Sequence, residues 1–108
     1  QPVTITVDLG SVKHFGSMAI AADHEPDSWI HAPRQVEFQV SSNGKTFRSV
    51  GRVEHPGSGN GPRRYALALP LQARFVRIIA RPIAEIPAGQ AGAGHPAWLF
   101  LDEVRIEP

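Results

Sequence analysis

Acidic side chains that could serve in catalysis stand close together at two places in the sequence, and neither spacing suits the chemistry. Asp102 and Glu103 are adjacent in an apolar run, so on a strand they point to opposite faces and cannot act as an acid–base pair. Residues 23–27 carry an acid at every second position, like the start of a calcium loop. However, Pro26 interrupts them and no glutamate stands at the twelfth position. The sequence therefore predicts no catalytic residue in this chain.

Side chains suited to binding collect instead in or next to three long connecting segments, residues 23–34, 54–62 and 82–96. An aromatic face can stack on the apolar face of a sugar ring, while amide, imidazole and guanidinium groups exchange hydrogen bonds with its hydroxyls. The alternative for each residue is structural, because most tryptophans and many histidines serve in packing. The candidate contacts are Trp29 for stacking and His31, His55, Asn60, Arg63 and His95 as polar groups.

The elements that would position these residues are short strands. Alternating apolar and polar residues, or short apolar runs, recur along the chain with turn signals between them. Asn43-Gly44 is a strong hairpin signal, since both residues tolerate positive φ. The sequence predicts an all-β antiparallel sandwich with no helix longer than two turns. The predicted strands are residues 3–10, 17–22, 35–41, 47–54, 64–69, 74–80 and 98–106. The sixth is apolar on both faces and should be central. In the seventh, alternation predicts that Phe100 faces the core with Val104 and Ile106, and Trp98 is expected to anchor the start of the strand.

The connections between these strands are unequal in length, and the order of long and short ones carries information. If consecutive strands reverse direction, alternate connections lie at opposite ends of the sandwich. The three long connections, which are the three segments rich in binding side chains, then gather at one end. Loops grouped on a rigid sheet are the usual place for a binding surface.

Composition limits the function further. The 108 residues suffice for one domain with a modest core, and 42% hydrophobic with 19% charged residues argues against disorder. The net charge is +1 with scattered basic residues, which does not favour nucleic-acid binding, and no apolar run approaches a membrane span. Without cysteines or an i, i+4 histidine pair, neither a disulfide nor a zinc site is predicted.

Three stretches together resemble a known family: "VTITVDLGSV", "DSWIHAPRQVEFQVSSNGKTF" and "RFVRIIA" with the closing "GHPAWLFLDEVRI". They resemble the discoidin-like (coagulation factor type C) domains at the C-terminal end of bacterial β-N-acetylhexosaminidases. The resemblance covers nearly all of residues 1–108 and implies a single jelly-roll β-sandwich of the galactose-binding-domain-like type. The family's earlier "DG…W" segment is missing before Gln1, so we expect a domain excised from, or truncated within, a larger glycoside hydrolase.

The resemblance also implies a role. It suggests a non-catalytic accessory module that binds a carbohydrate of hexosamine or galactose type, in a secreted, periplasmic or cell-surface protein whose catalytic carboxylates lie in another domain. The alternative is a structural brace that packs its long loops against the neighbouring catalytic domain without binding sugar. In related modules a glutamate of the last strand contributes to a structural calcium, and Glu103 occupies that position. No other cofactor is expected.

Overall fold

The computed structural model describes residues 1–55 and 61–108, and within them it forms five antiparallel strands. Their bounds are β1 (Val3–Ala22), β2 (Gln35–Ser41), β3 (Arg48–Glu54), β4 (Arg63–Arg81) and β5 (Leu101–Glu107), and a single 3-10 turn spans Pro26–Ser28. The all-β prediction is confirmed. Seven predicted strands become five because the first two runs are continuous in β1, and the fifth and sixth are continuous in β4. No helix of the described residues is long and apolar enough to cross a membrane.

The sheet has the order β3-β2-β4-β1-β5, and β1 and β4 pair along almost their whole lengths. The register is interrupted between Asp8 and Lys13 and again between Phe15 and Ser17. On one side of these irregularities the ribbon adds β2 and β3, with Gln35 opposite Arg81. On the other side it adds β5. The long β1–β4 ribbon therefore belongs to two smaller sheets.

These two sheets face each other. The Tyr65 hydroxyl, in the first half of β4, donates a 2.6 Å hydrogen bond to the carbonyl of Pro33, which precedes β2. A Cβ added at Gly51 of β3 would lie 2.9 Å from a methyl carbon of Leu67 in β4, so these two strands touch without pairing. Both contacts require β1 and β4 to bend double, between residues 8 and 17 and between 68 and 75. The product is the predicted β-sandwich.

The core lies between the two sheets and follows the predicted alternation in the central strands. Val36, Phe38 and Val40 of β2 are buried, as the pattern of that run predicts. The second half of β4, apolar on both faces, lies between β2 and β1 as expected for a central strand. The largest fully buried side chains include Met18, Ile20, Phe38, Tyr65, Ile78 and Ile86.

The closing strand differs from its prediction in register. Ala19 and Ala21 of β1 face Arg105 and Asp102 of β5, so β5 carries one extra residue at this point. Glu103, with φ of 46°, lies in this β-bulge. The bulge reverses the alternation, so that Leu101 and Val104 both pack against the core. Sequence alternation placed Phe100 inside with Val104 and Ile106, and this was wrong, since Phe100 is 52% exposed.

The described parts of the three long connections lie at one end of the sandwich, as the alternation of loop lengths predicted. The amide of Gly61 donates to the carbonyl of His24 at 2.9 Å, which joins the second and fourth predicted connections. The amide of Trp98 donates to the carbonyl of Trp29 at 2.8 Å, which joins the last connection to them. We call this the loop end, and the opposite end, with the turn around Asn43, the hairpin end.

Candidate functional site

Two tryptophans are anchored side by side at the loop end by backbone pairing. Trp29 follows the 3-10 turn in a left-handed conformation (φ 65°), and its amide donates to the carbonyl of Pro26. Such a backbone is uncommon for a bulky residue and persists only where the surroundings enforce it. The next residue, Ile30, forms a parallel bridge with Trp98, and the Trp98 carbonyl accepts from the amide of His31 at 3.1 Å. The two indoles therefore project from neighbouring, mutually hydrogen-bonded segments.

The side chains around Trp29 form an open aromatic cleft. The His95 ring stacks on the Trp29 indole, with centroids 5.2 Å apart and planes inclined by 27°. Gly92 packs so closely on the indole that an added Cβ would lie 2.4 Å from Trp29 Cε2. Trp98 stands at the rim and is 62% exposed. The aromatic cleft has a volume of about 270 Å³ and is lined by Trp29, His95, Pro96, Ala97 and Trp98.

A second group of side chains, the histidine cluster of His24, His31 and His55, lies beside the segment that carries Trp29. The His24 ring meets the rings of His31 and His55 edge-on, at centroid distances of 5.4 and 4.9 Å. His24 Nδ1 accepts a hydrogen bond from the Ala32 amide, so this nitrogen carries no proton. Within the described residues, Nε2 of His31 and of His55 is buried without a hydrogen bond.

Two residues of the histidine cluster, His24 and His31, have a pKa below the ordinary histidine value, so a positive charge on their rings is disfavoured. Burial lowers the pKa of His24 and of His31, because the imidazolium form would lose hydration, and the neighbouring His55 adds to both shifts. Arg63 lowers the pKa of His24 further, while Asp23 opposes the change. The rings of His24 and His31 are therefore held neutral at pH 7 and act as packing groups under the loops.

Arg63 begins β4 at the edge of the histidine cluster. It is 9% exposed, and its Nη1 donates to the carbonyls of Gly61 and Pro62 at 3.0 and 3.3 Å. The guanidinium therefore fixes the chain that enters β4 after the fourth predicted connection. These two charge-assisted bonds from one guanidinium nitrogen hold residues 61 and 62 in place just before β4.

Residues 1–93 match the family model of the F5/8 type C domain. The chain belongs to the F5/8 type C domain family. This match confirms the resemblance to discoidin-like (coagulation factor type C) domains over residues 1–93.

Two solved structures share the fold of this F5/8 type C domain. One is CpGH89CBM32-5 from Clostridium perfringens, in complex with GalNAc-β-1,3-galactose, with 22% identity and a TM-score of 0.57 over 95% of this chain and 67% of that one. The other is the C-terminal domain of a chitobiase from Bacteroides fragilis, with 19% identity and a TM-score of 0.57 over 100% of this chain and 66% of that one. This chain thus spans about two thirds of each structure. None of the curated proteins compared with it matches.

The structure divides the predicted contact residues of this F5/8 type C domain into two groups. Trp29 and His95 meet at the aromatic cleft. His31, His55 and Arg63 lie in the neighbouring layer, where His31 is only 5% exposed. Asn60 falls outside the described residues. Ligand contact by any of these residues stays a prediction, but the geometry gives His31 and Arg63 supporting positions rather than surface ones.

Trp98 is the cleft residue that sequence reasoning missed as a contact. Its place at the start of an apolar run favoured a role as a strand anchor, and the structure instead starts β5 three residues later, at Leu101. The signal that could have revealed it is the Gly-Pro-rich "GAGHPA" before it, which is typical of a loop rather than of a strand start.

Glu103, the predicted calcium residue, lies in the β-bulge of β5. Its carboxylate is half exposed and pairs with the guanidinium of Arg105 in the same strand. Among residues 1–55 and 61–108, no group of three or more His, Cys, Asp or Glu side chains is arranged to hold a metal. Calcium binding at Glu103 stays a prediction.

Proposed function

We propose that this F5/8 type C domain is a non-catalytic carbohydrate-binding module of a larger glycan-degrading enzyme, and that the aromatic cleft is its sugar site. The observation that carries the proposal is Trp98, a large aromatic side chain held 62% exposed at the rim of a cleft. Exposure of this kind is costly unless a ligand or partner covers it. A sugar ring laid on the indole would shield its apolar face, while its hydroxyls stay in water or reach His95.

The related structures support a proposal for the class of sugar. One of them holds GalNAc-β-1,3-galactose, and the other belongs to a chitobiase. We therefore propose a ligand of hexosamine or galactose type and a secreted, periplasmic or cell-surface parent of the β-N-acetylhexosaminidase kind. An open cleft offering one stacked ring and a few solvent-competed hydrogen bonds should bind weakly, with Kd on the order of 1 mM.

Titration of N-acetylglucosamine, N-acetylgalactosamine and galactose against isotopically labelled domain, followed by NMR, tests this proposal. Shifts should concentrate in residues 23–34 and 82–98. Trp98→Ala should weaken binding about tenfold, since stacking and burial of an aromatic ring supply roughly 1–2 kcal/mol. The matched control is Phe100→Ala, which removes another exposed aromatic that does not line the cleft. Equal losses in the two variants would contradict a stacking role for Trp98.

The alternative function is the structural brace, and the pair of exposed side chains Trp98 and Phe100 favours it. Two large apolar groups two residues apart could dock on a neighbouring domain. In that case no sugar would shift the loop resonances. Instead, the tryptophan fluorescence of the full parent protein would be protected from acrylamide quenching relative to the isolated domain.

A further inference from the structure

Two adjoining cavities lie at the hairpin end, away from the aromatic cleft. One, of about 240 Å³, lies between the turn after β2 and the bend of β4. The other, of about 380 Å³, continues along the bends of β1 and β4. Arg48 and Gln72 line both cavities, so the two form one groove, which we call the hairpin groove. Its remaining lining includes His14, Phe15, Asn43, Thr46, Pro70 and Leu71.

The polar groups of the hairpin groove are held in place by the turn. Asn43 Oδ1 accepts hydrogen bonds from the amides of Lys45 and Thr46 at 2.8 and 2.9 Å. The Ser41 hydroxyl accepts from the amide of Gly44 at 2.9 Å, and Gly44 takes a positive φ of 76°. This turn presents Thr46 and the start of β3, including Arg48, as a fixed wall of the groove.

The charge of the hairpin groove is positive and unbalanced. Within the described residues, the side chain of Arg48 makes no ion pair or hydrogen bond, whereas Arg52, Arg74, Arg81 and Arg105 pair with carboxylates. No lining residue is acidic. Asp8, on the adjoining part of β1, is already bound by Arg74 through two bonds of 2.8 and 2.9 Å. A guanidinium without a carboxylate partner at a groove is a ready receptor for an anion.

The groove also has an apolar part. Phe15 is buried, Leu71 is half-buried, and both line the second cavity with Pro70. Apolar surface beside amide and hydroxyl groups suits a sugar ring, and the free guanidinium suits a planar carboxylate or a sulfate. We propose that the hairpin groove is a second binding site, independent of the aromatic cleft, that takes an anionic saccharide through Arg48.

NMR titration with trigalacturonate at 50 mM NaCl tests this site, and the fully methyl-esterified trisaccharide is the neutral control of equal shape. The acidic probe should shift residues 41–48 and 70–73 with Kd on the order of 1 mM, and the ester should not. Binding should weaken at 500 mM NaCl because salt screens exposed charges. Galactose 6-sulfate, which carries a sulfate and no carboxylate, run alongside distinguishes sulfate from carboxylate recognition.

The variant Arg48→Gln should weaken binding of trigalacturonate about fivefold, as expected for a charge-assisted contact. The matched control is Arg64→Gln, an exposed strand arginine at the loop end, which should leave the affinity unchanged. Gln72→Ala is a second variant of the groove that keeps the arginine.

Absence of saturable shifts with both acidic probes, equal binding of the ester, or equal losses in the Arg48 and Arg64 variants would overturn the proposal. Shifts confined to residues 23–34 and 82–98 would also do so. Failure of this site leaves the hexosamine test at the aromatic cleft unaffected, because the two sites involve different residues and the cleft is tested with neutral sugars while the groove is tested with anionic ones.

Discussion

An exposed ion pair between Asp8 and Arg74 links β1 to β4 just before the bend. Two guanidinium nitrogens reach the two carboxylate oxygens, and the amide of Gly10 donates to the same carboxylate at 2.8 Å. Together these bonds lower the pKa of Asp8 from 3.8 to about 2, with the Arg74 hydrogen bond as the largest cause. Because the folded-state pKa is lowered, the pair stabilises the fold above pH 3.8, and this contribution disappears as the pH falls toward 2.

Replacing Arg74 by Gln should therefore raise the pKa of the Asp8 carboxyl toward its ordinary value, since the main donor and its charge are removed. The pKa can be followed by NMR titration of the side-chain carboxyl carbon. Arg77→Gln is the control, because Arg77 bonds to Thr6 and stacks on Phe47 without touching Asp8. An Asp8 pKa that stays near 2 in Arg74→Gln would show that the Gly10 amide alone sets it.

At the scale of elements, the loops and the bulge decide which side chains reach the surface. Gly89 and Gly92 lie in the same loop with similar φ values of 85° and 79°. An added Cβ at Gly89 meets nothing within 4 Å, whereas at Gly92 it would overlap the Trp29 indole. Comparing alanine substitutions at these two glycines therefore separates the effect of backbone strain from the effect of contact with Trp29.

Both Gly89→Ala and Gly92→Ala should lose about 1 kcal/mol from the left-handed backbone alone. Gly92→Ala should lose roughly 1–3 kcal/mol more, because the indole must be displaced. It should also shift the Trp29 indole N–H resonance and weaken sugar binding, with Gly89→Ala as the matched control. Identical unfolding midpoints and identical indole shifts in the two variants would contradict the close packing of Gly92 on Trp29.

The bulge in β5 leads to a second prediction, which concerns the burial of Phe100. Phe100→Ala should lower the free energy of unfolding by less than about 1 kcal/mol, because the half-exposed ring leaves little cavity behind. Phe38→Ala, at a fully buried position of β2, should lower it by about 3–5 kcal/mol. Urea unfolding measures both. A loss of several kcal/mol in Phe100→Ala would indicate that β5 is not bulged at Glu103.

At the scale of the whole molecule, two residues of the histidine cluster, His24 and His31, make the free energy of unfolding depend on pH. His24 and His31 have lowered pKa values in the folded state, so between those values and the ordinary 6.5 the unfolded chain binds more protons. The free energy of unfolding must then rise with pH in this window, and on acidification it must start to fall as the pH passes through 6.5. Protonation would place like charges on rings about 5 Å apart.

Urea unfolding at pH 7.5, 6.5 and 5.5 should therefore show decreasing stability, and His31→Gln should reduce this slope by removing one of the two groups. His14→Gln, an exposed histidine at the hairpin end, is the control and should keep the wild-type slope. A His31→Gln slope equal to that of the wild type would show that His31 does not titrate abnormally.

Much of the fold and part of the site were predictable because they rest on local patterns. The alternation of residues 35–41 marks β2, Asn43-Gly44 marks its turn, and the unequal loop lengths place Trp29 and His95 at one end. These features depend on side-chain period and turn chemistry, which a sequence displays directly.

The remaining features of the fold and of the site could not be predicted from local patterns, because they depend on contacts with segments distant in the chain. Whether residues 8–17 form a connection or a bent stretch of one strand depends on pairing with residues 68–75, which holds them in a ladder through the bend. The bulge at Glu103 appears only against β1, yet its one extra residue sends Phe100 outward. Burial of His31 and exposure of Trp98 likewise follow from how three loops pack together. Local patterns thus indicate most of the strands and the end at which the long loops gather, and the packing of distant segments decides which side chains are buried or exposed there.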